Sequence, residues 1–137
     1  MNIRKAVIKP RVLIFERDGD RVIGDTLGII LRRRGYEARA IYDLASAIQA
    51  MHTFRPHAAI IEFLLKDGLA TEAAKALRQI NPDLPLMIYG GFPEYLDDIT
   101  REHPELVFMA LKKPVHPMVI LAEVDRLLLR PNAIYHA

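Results

Sequence analysis

The side chains able to do chemistry sit in four short stretches: Glu16-Arg17-Asp18, Glu62, Gly90-Gly91 and Lys112-Lys113. Glu16 and Glu62 are carboxylates placed directly after the apolar runs "VLIF" and "AAII". A carboxylate at the end of a buried run is costly unless a partner compensates it. Arg17 and Lys113 are cations that could do so. If the runs end side by side, two acids and two bases form a balanced cluster held by charge-assisted hydrogen bonds. Such a cluster either caps a sheet or marks a functional crevice, where convergent titratable groups gather.

Other residues offer less. Asp18 and Asp20 lack the longer set of spaced oxygens, ending in a Glu, that a calcium loop needs. They read as helix caps instead. No G-x-G-x-x-G follows the first apolar run, and acids there would repel a dinucleotide phosphate. His52, His57, His103, His116 and His136 lack ligand spacing and read as surface or loop residues. Arg32 to Arg34 form the one dense basic cluster, and Gly35 follows them as a helix-stopping residue should. Cations suit a helix C-terminus, so this is read as a solvated helix end. A nucleic-acid surface would need a basic face and a reading helix.

Positioning these residues takes an alternation of strands and helices. Short apolar runs at 11–16, 36–42, 57–62, 84–89 and 106–111 read as strands. Between them, a helix runs to Arg34 with Val22, Ile23, Leu27, Ile30 and Leu31 at helical spacing. A second, capped by Asp43, runs to about Thr53, and a third from about Leu69 to Ile80. A short fourth starts at Pro93 and carries Tyr95, Leu96 and Ile99. The last, 116–130, is ended by Pro131 and offers Val119, Ile120, Val124, Leu127 and Leu128. Gly90-Gly91 are expected to break the fourth strand. Near-continuous apolar strands alternating with helices imply a parallel sheet covered on both faces. The fold class is therefore α/β, a flavodoxin-like (βα)5 doubly wound sheet. In such sheets the crevice lies at the carboxyl ends of the strands, where the four stretches fall.

Composition agrees with one globular unit. The 137 residues are 51% hydrophobic and 26% charged, with net charge +2. No apolar run is long enough to span a bilayer, and "MNIRKAVIKP" lacks the apolar core of a signal peptide. Without cysteine there is no disulfide framework or thiolate metal site. Residues 1–10 are read as an N-terminal extension, 11–130 as the domain and 131–137 as a tail, in a cytoplasmic protein.

Over 11–130 the chain resembles the receiver domains of two-component response regulators, CheY-like proteins, which implies the strand order 2-1-3-4-5. "VLIFERDGD" (12–20) matches a first strand ending in an acidic pair. "RRGYEARA" (33–40) matches the common Arg-Gly-Tyr-Glu-Val passage. "PHAAIIEFLLKDG" (56–68) matches the strand bearing the phosphoacceptor aspartate, "LPLMIYGG" (84–91) the fourth strand, and "KKPV" (112–115) the Lys-Pro closing the fifth.

By this resemblance the phosphoacceptor falls on Glu62, and the Mg²⁺-holding acidic pair on Glu16 and Arg17. The switch Thr/Ser falls on Gly90, the switch aromatic on Ala110, and the usual proline after the acceptor on Lys66. The lysine falls on Lys113, with Pro114 expected in cis. Only Lys113 is unaltered. Arg17 brings a fixed positive charge to a metal-ligand position, Glu62 is one methylene too long, and Gly90 has no hydroxyl. The expectation is a pseudo-receiver: not an enzyme, with no cofactor, Mg²⁺ binding lost or weak, and Arg17 and Lys113 paired with Glu62 and Glu16. Glu62 is then either a mimic of phosphoaspartate or part of a locked scaffold. Expected partners are a histidine kinase or a downstream signalling protein, with no nucleic acid and no membrane. The fourth helix, fifth strand and fifth helix offer a face for a homodimer. The rivals are a conventional receiver that still accepts a phosphoryl group and a small-molecule binder with a pocket near Gly90-Gly91. No output domain is expected.

Overall fold

The computed structural model describes residues 9–17, 19, 21–65, 68–90, 97–98, 101–102, 109–112 and 116–129. Five strands form one sheet: β1 (Arg11–Phe15), β2 (Glu37–Ile41), β3 (Ala58–Glu62), β4 (Leu86–Gly90) and β5 (Met109–Lys112). Their order is β2-β1-β3-β4-β5, with every neighbouring pair parallel. This is the expected doubly wound arrangement. The helices with described bounds are α1 (Arg21–Arg34), α2 (Leu44–Thr53), α3 (Ala70–Ile80) and a C-terminal helix (Pro117–Leu128), and residues 97–98 and 101–102 are also helical.

The strands alternate their side chains between two cores, as a period of two requires. Leu13, Phe15, Ala59, Ile61, Leu86 and Ile88 face α2 and α3, meeting Ala47, Met51, Ala74 and Leu77. Val12, Ile14, Ala58, Ile60, Met87 and Tyr89 face α1 and the C-terminal helix, meeting Leu27, Leu31, Ile120 and Val124. Strands buried on both faces explain the unbroken apolar runs of the sequence.

Helix ends follow local chemistry. Asp43 caps α2 as expected, its carboxylate accepting from the Ser46 N–H at 2.7 Å. Gly35 takes φ +106 after α1, and the N–H groups of Gly35 and Tyr36 donate to the carbonyls of Arg32 and Leu31. That is the Schellman closure glycine permits. His116 caps the C-terminal helix, its Nδ1 accepting from Met118 N–H at 3.1 Å.

Several expectations are corrected. In α1 the buried face is Gly24, Leu27, Gly28 and Leu31, whereas Val22 and Ile23 are exposed. Gly24 lets this helix lie close over Glu16 and Tyr42, so the inner face is two leucines and two glycines rather than Val22 and Ile23. The C-terminal helix ends at Leu128, where the Leu129 N–H closes on the Asp125 carbonyl. Its residues Ile120, Leu121, Val124 and Leu128 are core, leaving Met118, Val119 and Leu129 exposed. A two-stranded antiparallel hairpin, Leu64–Leu65 with Gly68–Leu69, precedes α3, which starts at Ala70 rather than Leu69. The Arg cluster is more than a solvated end: Arg34 bridges to Asp125 at 2.9 Å and Arg32 donates to the Ala38 carbonyl at 3.0 Å. Asp18, Asp20, Lys66, Gly91, Tyr95, Leu96, Ile99, His103, Lys113, Pro114, Pro131 and His136 lie outside the described residues, as do 1–8 and 130–137. No described helix is long and apolar enough to cross a membrane.

Candidate functional site

Glu16 and Glu62 end adjacent parallel strands. The β1–β3 register pairs Phe15 with Ile61, so the two acids follow side by side. Each lies two residues beyond a side chain of the α1-side core, Ile14 and Ile60, so alternation turns both toward that layer. Both are buried, Glu16 at 0% and Glu62 at 4% exposure. They are the only buried charged side chains among the described residues.

Sequence reading missed the residue that meets Glu16. Tyr89, paired with Glu62 in the β3–β4 register, donates its phenolic hydroxyl to Glu16 Oε2 inside the core. The signal was available: Tyr89 is a polar-tipped aromatic in period-two step with Met87, at the end of an apolar strand. Arg17 is exposed. None of Glu16, Arg17 and Glu62 is without a partner. Lys113 lies outside the described residues.

Gly90 does not break β4, as the sequence suggested, but is its last residue, paired with Lys112 of β5. The neighbour of position 90 gives the reason for a glycine. A Cβ there would stand 2.6 Å from the Cβ of Phe63 and 3.7 Å from Glu62 Oε1. Phe63 is buried and tied on both sides, its N–H donating to the Tyr89 carbonyl at 2.7 Å and its carbonyl accepting from Ala70 N–H at 3.0 Å. Ala110 lies in β5 opposite Ile88, two pairs before Gly90.

Above Glu16, Gly24 of α1 admits the acid and Tyr42 together. A Cβ at Gly24 would lie 3.0 Å from the Tyr42 hydroxyl and 3.2 Å from Glu16 Cγ. Tyr42 donates to Asp25 Oδ1 at 2.9 Å, and the Arg21 guanidinium sits 4.4 Å from its ring centroid. Burial, and then the Asp25 carboxylate accepting its proton, push the Tyr42 phenol up to about 12. The arrangement is thus two buried acids at adjacent strand ends, Glu16 bonded by Tyr89 and covered by Gly24 and Tyr42, with Phe63 beside Gly90.

No family model and no curated protein matches the sequence. Solved structures do. A response regulator receiver domain protein (CheY-like) from Methanospirillum hungatei JF-1 is similar with TM-score 0.77 at 21% identity, over 88% of this chain and 94% of that one. A two-component response regulator from Clostridium difficile gives 0.79 at 22% identity, over 91% and 100%. The non-phosphorylated HemR receiver domain from Leptospira biflexa gives 0.75 at 22% identity, over 93% and 100%. Strand order, layering and these matches over most of the chain agree: the protein has the CheY-like receiver fold.

Proposed function

We propose that this chain is a pseudo-receiver of two-component signalling, acting by binding a protein partner rather than by taking a phosphoryl group. One observation carries the reading: the carboxylate at the acceptor position is 4% exposed, with Phe63 Cβ occupying the space a hydroxyl-bearing side chain at 90 would need. An in-line phosphoryl donor needs open approach to the acceptor oxygen and donors placed for the transferring group. Here the acceptor is enclosed, and the Phe63 Cβ stands where a side chain at 90 would begin.

The residues present do not fit a Mg²⁺ ion. It demands near-octahedral oxygen ligands, and no group of three acidic or histidine side chains converges among the described residues. Arg17 stands at the second acid position, and Glu16 already accepts the Tyr89 hydroxyl. In this reading Arg17 and Lys113 supply the positive charge that a metal supplies in a phosphorylatable receiver. The partner is a histidine kinase or a downstream signalling protein.

Incubation with a small phosphodonor and Mg²⁺, followed by intact-mass measurement, tests the reading. The expected result is an unchanged mass. A stoichiometric gain of about 80 Da, as phosphorylation adds, mapped to Glu62 would overturn it in favour of a conventional receiver.

A further inference from the structure

At the opposite end of the sheet, where β1 and β2 begin and α2 ends, lies an open cleft of about 540 Å³. It is lined by Arg11, Glu37, Arg39, His52, Phe54 and Arg55, among others. Three guanidiniums and an imidazole therefore meet a single carboxylate. Local structure gathers them. Glu37 and Arg39 are two apart on β2, in step with Ile41 on the α2 side of the sheet. Arg11 pairs with Glu37 in the β1–β2 register, and Arg55 follows Phe54, the C-cap of α2. The site is five residues of β1 from Glu16, roughly 16 Å at the rise of a strand.

Three further observations point to a ligand. Among the described residues, no carboxylate pairs with Arg39 or Arg55. The Arg39 guanidinium lies 4.7 Å from the Phe54 ring centroid; stacking fixes its plane and leaves its edge donors for an oxyanion. Arg55 has φ 54, the one non-glycine residue in the left-handed region among the described residues. Glycine is the usual occupant after a helix C-cap, and retained strain at a cleft wall is a mark of function. The strained turn also aims its neighbour, because Arg11 Nε donates to the Arg55 carbonyl at 2.9 Å.

We propose that this cleft binds a small polyanion carrying at least two phosphate or carboxylate groups, held by Arg39 and Arg55 with Arg11 beside them. Guanidinium forks match both groups bidentately, and the forks of Arg39 and Arg55, which no carboxylate among the described residues occupies, can take one group each. The volume lies within the roughly 300–1,000 Å³ of small-molecule sites. A nucleic-acid backbone would instead call for a basic stripe along a face, and Glu37 interrupts any such stripe. The proposal is independent of the acid pair and its phosphorylation.

The test is calorimetric titration of the full chain with pyrophosphate and with citrate at about 0.1 M ionic strength, inorganic phosphate serving as the single-group comparison. Saturable binding of at least one polyanion is expected, at least about tenfold tighter than phosphate, the value of one charge-assisted contact. Which polyanion binds assigns the group as phosphate or carboxylate. Arg39→Gln and Arg55→Gly should each weaken that binding about tenfold or more. Arg55→Gly also relieves the left-handed backbone, so its thermal midpoint should be kept or raised while binding is lost. The proposal is overturned by no saturable binding of either polyanion, by undiminished binding in the double variant, or by tighter binding of a duplex oligonucleotide.

Discussion

At position 90 the lack of a side chain is a packing requirement. Phe63 is held by hydrogen bonds to β4 and α3, and its Cβ would lie 2.6 Å from any Cβ at 90. Gly90→Ala and Gly90→Ser should therefore both destabilise, by about 1–3 kcal/mol, the usual cost of overpacking. Urea unfolding midpoints measure this, and Gly90→Ser should bring no phosphoryl uptake with its new hydroxyl. Tyr42 makes a pH-dependent contribution whose sign is set by its phenol. Burial and the Asp25 acceptor raise it from the usual 10.0 to about 12, so the folded state favours the neutral form. The stabilisation is complete below pH 10 and is lost as pH rises to about 12. The stability difference between the wild type and Tyr42→Phe should shrink across that window. A difference that stays constant there would remove the Asp25 hydrogen bond from the account.

Between elements, Asp125 couples the end of α1 to the C-terminal helix through two contacts of unequal weight. Arg34 reaches it at 2.9 Å, but the Arg34 side chain is 54% exposed. Such surface pairs contribute about 0–1 kcal/mol. Tyr36 is buried and donates its hydroxyl to Asp125 at 2.6 Å, and hydrogen bonds to charged groups are worth about 1.5–3 kcal/mol. Arg34→Ala should thus lose about 0.5 kcal/mol or less, and Asp125→Ala about 1–3 kcal/mol. Equal losses in denaturant unfolding would shift the weight to the ion pair. Element types and most boundaries were legible because strand runs and capping residues are local signals. The hairpin before α3 was not, since Leu64–Leu65 and Gly68–Leu69 are too short to show a period of two.

For the whole molecule, the sheet divides two cores, and the acids face the one beneath α1 and the C-terminal helix. A resident divalent cation would link those layers and stabilise the native state by mass action. In the proposed pseudo-receiver, where Arg17 replaces a metal-ligand acid and Glu16 is bonded to Tyr89, millimolar Mg²⁺ should leave the thermal midpoint unchanged. A saturable, Mg²⁺-specific rise would contradict the proposed exchange of metal for internal cations. The homodimer face expected from the last helix is reduced, because Ile120, Leu121, Val124 and Leu128 are spent on the core.

The sequence by itself determined the strand order, the two-sided covering and the placing of Glu16, Glu62 and Gly90 at strand ends. The covering and the strand ends follow from periodicity and the order of elements, whereas the strand order came with the resemblance to receivers, since alternating strands and helices fit more than one order. Only the tertiary structure decided what surrounds the acids. Tyr89 and Glu16 are 73 residues apart, and Phe63 meets Gly90 from a neighbouring strand end. The cleft lined by Arg11, Arg39 and Arg55 is of the same kind, built from three separate segments. Contacts of that range depend on register and close packing, which no local pattern encodes.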